Sequence, residues 1–229
     1  MDIKKYNVMF AAQPPEINSP WNGEVWKNSP ALEVSSFRRE SSAHRPATSC
    51  KLLYDRRQIY GIFHVNDQYV RCIHTEFQSE VYKDSCVEFF VQPQEADAYF
   101  NFEFNCGGAL LASYVIDPTR VDGRISKFIP LSPEDNQEIK RYSSLPRTVE
   151  PEITRPINWF LGFSIPFSVL GQYASIPVDV RGQVWRANFY KCGNETSRPH
   201  WGSWSPVHEL NFHLPTDFGE LYFLFELNS

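Results

Sequence analysis

Three segments place an acid, an amide and a base at alternating positions along apolar runs. In Tyr99-Phe100-Asn101-Phe102-Glu103-Phe104-Asn105 the phenylalanines take one face of a strand. Tyr99, Asn101, Glu103 and Asn105 take the other. Val184-Trp185-Arg186-Ala187-Asn188-Phe189-Tyr190 repeats the pattern, with Arg186, Asn188 and Tyr190 on the polar side, and Cys86-Val87-Glu88-Phe89-Phe90-Val91 sets Glu88 against Val87, Phe89 and Val91. Carboxylate, amide and guanidinium groups on one surface can donate and accept in the forked geometries that vicinal hydroxyls require. Lys83, next to Tyr82 at the entry to the Glu88 strand, adds a cation. The chemistry suits a neutral, hydroxyl-rich ligand. An ion pair of Arg186 with Glu88 or Glu103, holding neighbouring strands in register, is the structural reading of the same residues.

Trp201-Gly202-Ser203-Trp204-Ser205-Pro206 sets two indoles among turn-forming residues. An indole face offers an apolar platform with a negative quadrupole, which fits the C–H face of a pyranose, so Trp201 and Trp204 are candidate stacking residues. Their alternative role is to cover one end of the fold. Glu88 and Glu103 also permit a second function, since glycoside hydrolysis uses two carboxylates, one protonated and one ionised. A third is an interaction scaffold whose sheet face meets another protein.

The six histidines lack metal-site spacing, and Cys50, Cys72, Cys86, Cys106 and Cys192 form no Cys-x-x-Cys pair, so buried reduced thiols are expected and neither a metal nor a catalytic residue is assigned. Asp67, Asp84 and Asp97 fall at strand ends where a calcium ion could brace loops, although nothing resembles an EF-hand. Serine-nucleophile and phosphate-loop patterns are absent.

The elements that must position these residues are strands. Of the 229 residues, 15% are aromatic, 42% hydrophobic and 21% charged, which describes a folded chain rich in residues that suit pleated surfaces. The spacing predicts strands at 31–36, 48–54, 58–66, 86–92, 99–106, 109–116, 124–130, 158–165, 183–191 and 220–227. The pair Gly107-Gly108 predicts a hairpin turn. Ser132-Pro133-Glu134-Asp135 opens a short helix, and Pro166 to Tyr173 holds a second. The expectation is an all-β, antiparallel sandwich of jelly-roll type with one or two short helices, in a single domain over 1–229. Residues 1–30, with four prolines, form an extended lead-in, and 117–157 a long loop excursion. A net charge of -5 argues against nucleic acid as a partner, and no apolar run could span a bilayer. The segment Met1–Asn7 lacks a secretory pattern, which implies a cytoplasmic chain as it stands, or a secreted or periplasmic one if a signal was removed.

Taken together, Tyr82-Lys83-Asp84-Ser85-Cys86-Val87-Glu88-Phe89-Phe90-Val91 and the segment from Tyr99 to Gly108 resemble the central signature of carbohydrate-binding module family 9-like domains. Trp185 to Tyr190, Trp204-Ser205-Pro206 and Phe212 to Gly219 extend the resemblance in order, so it covers the chain from about Thr48 onward. It implies a β-sandwich that binds a mono- or oligosaccharide without cleaving it, as an accessory to a glycoside hydrolase, in some members with structural calcium. In the xylanase-associated members a terminal sugar lies between two tryptophans. Trp204 matches the C-terminal one, and the other position, before Asp84-Ser85, holds Val81 and Tyr82, leaving Tyr82 or Trp201 as the substitute.

Overall fold

The computed structural model describes residues 3–93, 96 and 98–225. Among them run strands β1 (Lys5–Phe10), β2 (Leu32–Val34), β3 (Ser36–Phe37), β4 (Ala47–Tyr54), β5 (Gln58–Asp67), β6 (Val70–Cys72), β7 (Cys86–Gln92) and β8 (Tyr99–Asn105). They are followed by β9 (Leu110–Val121), β10 (Arg124–Pro130), β11 (Lys140–Ser143), β12 (Val149–Ile153), β13 (Ile157–Pro166), β14 (Val184–Cys192), β15 (Trp201–Ser203) and β16 (Gly219–Phe223). Two short helices, α1 (Pro133–Glu138) and α2 (Phe167–Leu170), are the α-helical content of the described residues.

The main ladder runs β10-β9-β8-β7-β14-β16-β1-β4-β5-β13-β11 and turns back on itself at β1, making the two layers of a sandwich. Lys5 to Val8 pair in parallel with Glu220 to Phe223, whereas Met9 and Phe10 pair in parallel with Leu53 and Tyr54. The remaining strand pairs among the described residues are antiparallel. β1 therefore corrects the expected lead-in: within 1–30 lies the strand that joins the layers. Its Tyr6 and Val8 alternate into the core, a signal too short to stand out among the flanking prolines. The expected excursion at 117–157 is also more regular than a loop. β9 continues to Val121 and returns as β10, and α1, β11 and β12 follow. α1 starts as expected: the Asp135 amide donates to Ser132 Oγ at 3.1 Å and the Ser132 amide to Asp135 Oδ2 at 2.9 Å.

Period-two alternation sends the phenylalanines of β7, β8 and β14 inward. The Phe89 ring stacks on Phe189 at 5.1 Å and on Phe163 of the opposite layer at 5.7 Å, and Phe104 meets Phe163 at 5.2 Å. Burying each such side chain contributes roughly 1.5–3 kcal/mol. By the same parity Lys191 points inward. Its ammonium lies 3.3 Å from Asp67 Oδ2, with both side chains fully buried, and donates to His200 Nε2 at 2.8 Å. Asp67 also accepts from Trp159 Nε1 at 3.2 Å and from His44 at 2.8 Å, so the cluster ties β14 to β5 and β13 through the middle of the sandwich.

Candidate functional site

The outward residues of β14, β7, β8 and β9 form rows across the sheet. Tyr190, Glu88, Glu103 and Leu111 are successive register partners, and so are Asn188, Phe90, Asn101 and Ser113. The chain returning after β15 divides this face. Val207 and Phe218, with Phe212 and Leu214, pack over Phe90, Tyr99 and Tyr190, which roofs the β14 side. The side carried by β7, β8 and β9 stays open as a hollow of about 730 Å³, lined by Tyr82, Glu88, Asn101, Glu103, Ser113, Cys192, Trp201 and Phe212. The tip of the β9–β10 hairpin, with Arg120 and Arg124, bounds it on one flank, and 210–213 on another.

Of the residues expected at a site, Tyr82, Glu88, Glu103 and Trp201 thus meet at one hollow. Tyr82 sits in a single 3-10 turn (Val81–Lys83) before β7, and its hydroxyl donates to Glu80 Oε1 at 2.7 Å. Trp201 opens β15 opposite Cys192, and its indole N–H donates to Asn194 Oδ1 at 2.7 Å. Both aromatic side chains are half-buried, which leaves part of each available to a ligand.

The others are placed elsewhere. Trp204, expected as a stacking platform, is only 5% exposed; its ring lies edge-on to Phe189 at 5.7 Å and over Gly219, where a Cβ would come within 2.5 Å of it. Asn188 is sealed in the roof, donating to Ser205 O and accepting from the Ser205 amide, both at 2.9 Å. Tyr190 lies under Phe212, with ring centroids 4.0 Å apart, and donates to Phe212 O. Arg186 reaches Thr216 O at 3.2 Å rather than either glutamate, so the expected ion pair is not formed. Lys83 bridges Glu80 and Glu195 away from the hollow. Asn105 is consumed by the β8–β9 turn, holding the Ala109 amide at 2.9 Å and Asp84 Oδ2 at 3.0 Å; Gly108, at φ 87°, supplies the left-handed residue there.

The floor is acidic in composition, and both of its carboxyls are held above the usual carboxylate range. Burial, the neighbouring Cys192 and Glu103 push the Glu88 carboxyl well above the usual carboxylate range. Burial raises Glu103 to about 7, against the opposing pull of the Asn101 hydrogen bond and the Arg120 guanidinium. Asn101 Nδ2 donates to Glu103 Oε1 at 2.8 Å, and the Cys192 thiol to Glu88 Oε1 at 3.1 Å. A protonated carboxyl both donates and accepts, as does an amide, so the floor matches a hydroxyl-bearing ligand without demanding charge. For hydrolysis the arrangement is poor: Glu88 and Glu103 are direct register partners standing side by side on one wall, where the reaction needs two carboxyls flanking the bond.

A calcium ion at Asp67 or Asp84 would need six to eight oxygen ligands. Asp67 is surrounded by Lys191, His44, Trp159 and the Gln68 amide, and Asp84 Oδ2 by the Ile73 and His74 amides and Asn105. These N–H groups occupy the Asp67 acceptors, so Asp67 does not fit calcium, whereas Asp84 Oδ1 is buried without a hydrogen-bond partner, 3.2 Å from His74 Nδ1, and leaves one oxygen available. Asp97 lies outside the described residues.

The sequence places Asn101 on the polar face with Glu103 but does not single out Arg120, Asn194 or Phe212 for the site. Asn101 follows from the same alternation as Glu103, whereas the others reach the hollow from a curling hairpin and two loops. One further signal was available. Trp201 and Trp204 are three residues apart, and in an extended segment an odd spacing sends side chains to opposite faces.

No helix among the described residues is long and apolar enough to cross a membrane. Comparison with curated proteins gives no match. Among solved structures, a candidate carbohydrate-binding protein from Bacteroides uniformis ATCC 8492 superposes with a TM-score of 0.84 at 28% identity, covering 97% of this chain and 100% of that one. A family 9 carbohydrate-binding module from Caldicellulosiruptor kristjanssonii, solved with glucose and with cellotriose, gives TM-scores of 0.65 and 0.66 at 14% identity. Those alignments cover 99% and 98% of this chain, and 98% and 96% of the module. The family model for carbohydrate-binding family 9 matches residues 26–223. With that match spanning most of the sandwich and the whole of the hollow, the chain belongs to carbohydrate-binding family 9.

Proposed function

We propose that the hollow holds one end of a saccharide, with Tyr82 and Trp201 against the ring faces and Glu88, Asn101 and Glu103 reading hydroxyls from below. The observation that carries this reading is the joining of two half-buried aromatic side chains to a buried hydrogen-bonding floor. A volume of about 730 Å³ falls within the roughly 300–1,000 Å³ of small-ligand sites. The protein acts by binding and leaves the glycosidic bond intact, in keeping with its family. The ligands of the C. kristjanssonii module, glucose and cellotriose, make neutral glucose-based sugars the first probes. A glycoside hydrolase acting on the same polysaccharide is the partner this reading calls for, with the module keeping the enzyme on its substrate.

Calorimetric titration with glucose, cellotriose and a panel of other neutral and acidic sugars tests the proposal. Saturable heat for at least one sugar, reduced when Glu103→Gln and Asn101→Ala are combined, is the expected result. An absence of heat across the panel, or unchanged affinity in the combined variant, would overturn it. Adding the protein to a polysaccharide digest tests the accessory role, which predicts retention of the hydrolase partner on the insoluble fraction.

A further inference from the structure

Beneath Tyr82 and Trp201 the hollow ends in three groups that saccharide binding alone does not require together. Cys86 and Glu88 are two apart on β7, so strand periodicity places both on the outward face. Cys192 on β14 is the direct register partner of Cys86. Sheet geometry therefore brings two sulfurs and a carboxylate together from two strands, and the three donor atoms all lie within 4.8 Å of one another. The Cys192 sulfur is already 3.1 Å from Glu88 Oε1.

We propose that Cys86, Glu88 and Cys192 form a site for a thiophilic divalent cation of the zinc class, its fourth position open to the hollow. Zinc takes thiolate at about 2.3 Å and carboxylate oxygen at about 2.0–2.2 Å in tetrahedral geometry. Donors around such an ion are spaced roughly 4 Å apart or a little less, close to the 4.8 Å within which the three lie here. Two thiolates suit this cation and not calcium. The fourth position is reachable because Glu88 and Cys192 line the hollow. All three ligands are buried, and no ammonium or guanidinium among the described residues forms an ion pair with Glu88, so a bound dication meets no cation already seated on the carboxyl. Binding releases up to three protons, one from each thiol and one from the carboxyl, and involves no change of oxidation state. A water or a saccharide hydroxyl would complete the coordination. This proposal goes beyond the saccharide reading and has a separate readout.

The test uses the full chain, reduced and stripped with EDTA, then titrated with cobalt(II) chloride. The expected result is thiolate-to-cobalt charge-transfer absorption that saturates at one ion per chain and is bleached by zinc chloride. The band should be lost in Cys86→Ser and Cys192→Ser, weakened in Glu88→Gln, and unchanged in Cys50→Ser on the other layer. Affinity should fall by more than about 100-fold on losing a thiolate, beyond the 10–100-fold typical of outer-sphere changes. Should a serine variant fail to fold, zinc protection of Cys86 and Cys192 in the unmodified protein, treated with iodoacetamide in urea just below the unfolding transition so that buried thiols open transiently, gives the same information. Absence of the band, its survival in both serine variants, equal alkylation with and without zinc, or a Cys86–Cys192 disulfide in place of metal uptake would each overturn the proposal.

Discussion

Trp201 and Trp204 are separated by two residues, yet the structure gives them opposite duties, and this can be measured. If a pyranose covers roughly 100 Å² of the 150–250 Å² an aromatic side chain can bury, then at about 25 cal/mol per Å² the Trp201 contact contributes about 2.5 kcal/mol. Trp201→Ala should therefore weaken saccharide binding by about 60-fold. Because its indole is half-buried at the rim of the sandwich, the melting temperature should change little. Trp204 lies in the core against Phe189. Removing such a ring entirely costs about 3–5 kcal/mol, and Trp204→Phe, which leaves a smaller cavity, should cost less while still lowering the melting temperature clearly. Affinity at a temperature where that variant is folded should stay within about twofold, since the hollow is not lined by Trp204. Paired calorimetry and thermal denaturation on both variants decide the matter. Full affinity in Trp201→Ala together with loss of binding in a folded Trp204→Phe would refute the assignment.

Lys191→Met should destabilise the fold by about 3–5 kcal/mol in a denaturant titration, because it strands the Asp67 carboxylate among buried groups. Adding Asp67→Asn should recover much of that loss, and a double variant no more stable than Lys191→Met would count against the ion-pair account. His200 should contribute a loss of stability in acid. Burial and the Lys191 ammonium depress His200 to about 3, so between its unfolded value near 6.5 and about 3 the unfolded chain binds the extra proton. This contribution is fully present above pH 6.5 and is lost by about 1.4 kcal/mol per unit as pH falls through that window, against an opposite gain from the raised Glu88 and Glu103 carboxyls; a urea midpoint that changes identically from pH 6.5 to 4.5 in His200→Gln and in the unmodified protein would contradict it. Asp67, which burial alone would raise but Lys191 and His44 hold well below the usual carboxylate range, adds a loss in the same direction below about pH 4.

What could be read directly from the residues was local. Phe100, Phe102 and Phe104 announce the buried face of β8, and Asn101 and Glu103 its other face, because strand parity is a property of neighbouring positions. β7 and β10 have the predicted bounds for the same reason. Which part of the outer face remains open depends on a segment that returns from far along the chain. Val207, Leu214 and Phe218 cover Tyr190 and the β14 side, and nothing within β14 reports that roof. Asn188 and Tyr190 therefore looked equivalent to Glu103, although the structure seals both. The Gly, Ser and Pro setting of Trp204 suggested display on a loop, but the three-residue step from Trp201 turns it inward. β1 escaped notice because its partners are β16 and β4, which no local pattern connects.

The parallel seam of β1 with β16 has a mechanical consequence. Force drawn backward through Lys5 and forward through Phe223 acts at opposite ends of these two strands, so the register pairs from Lys5–Glu220 to Val8–Phe223 are loaded together in shear. A terminal hairpin would instead unzip one rung at a time. A domain pulled between these two points would thus resist extension as a clamp. In a single-molecule pulling trace that clamp should appear as one high rupture peak.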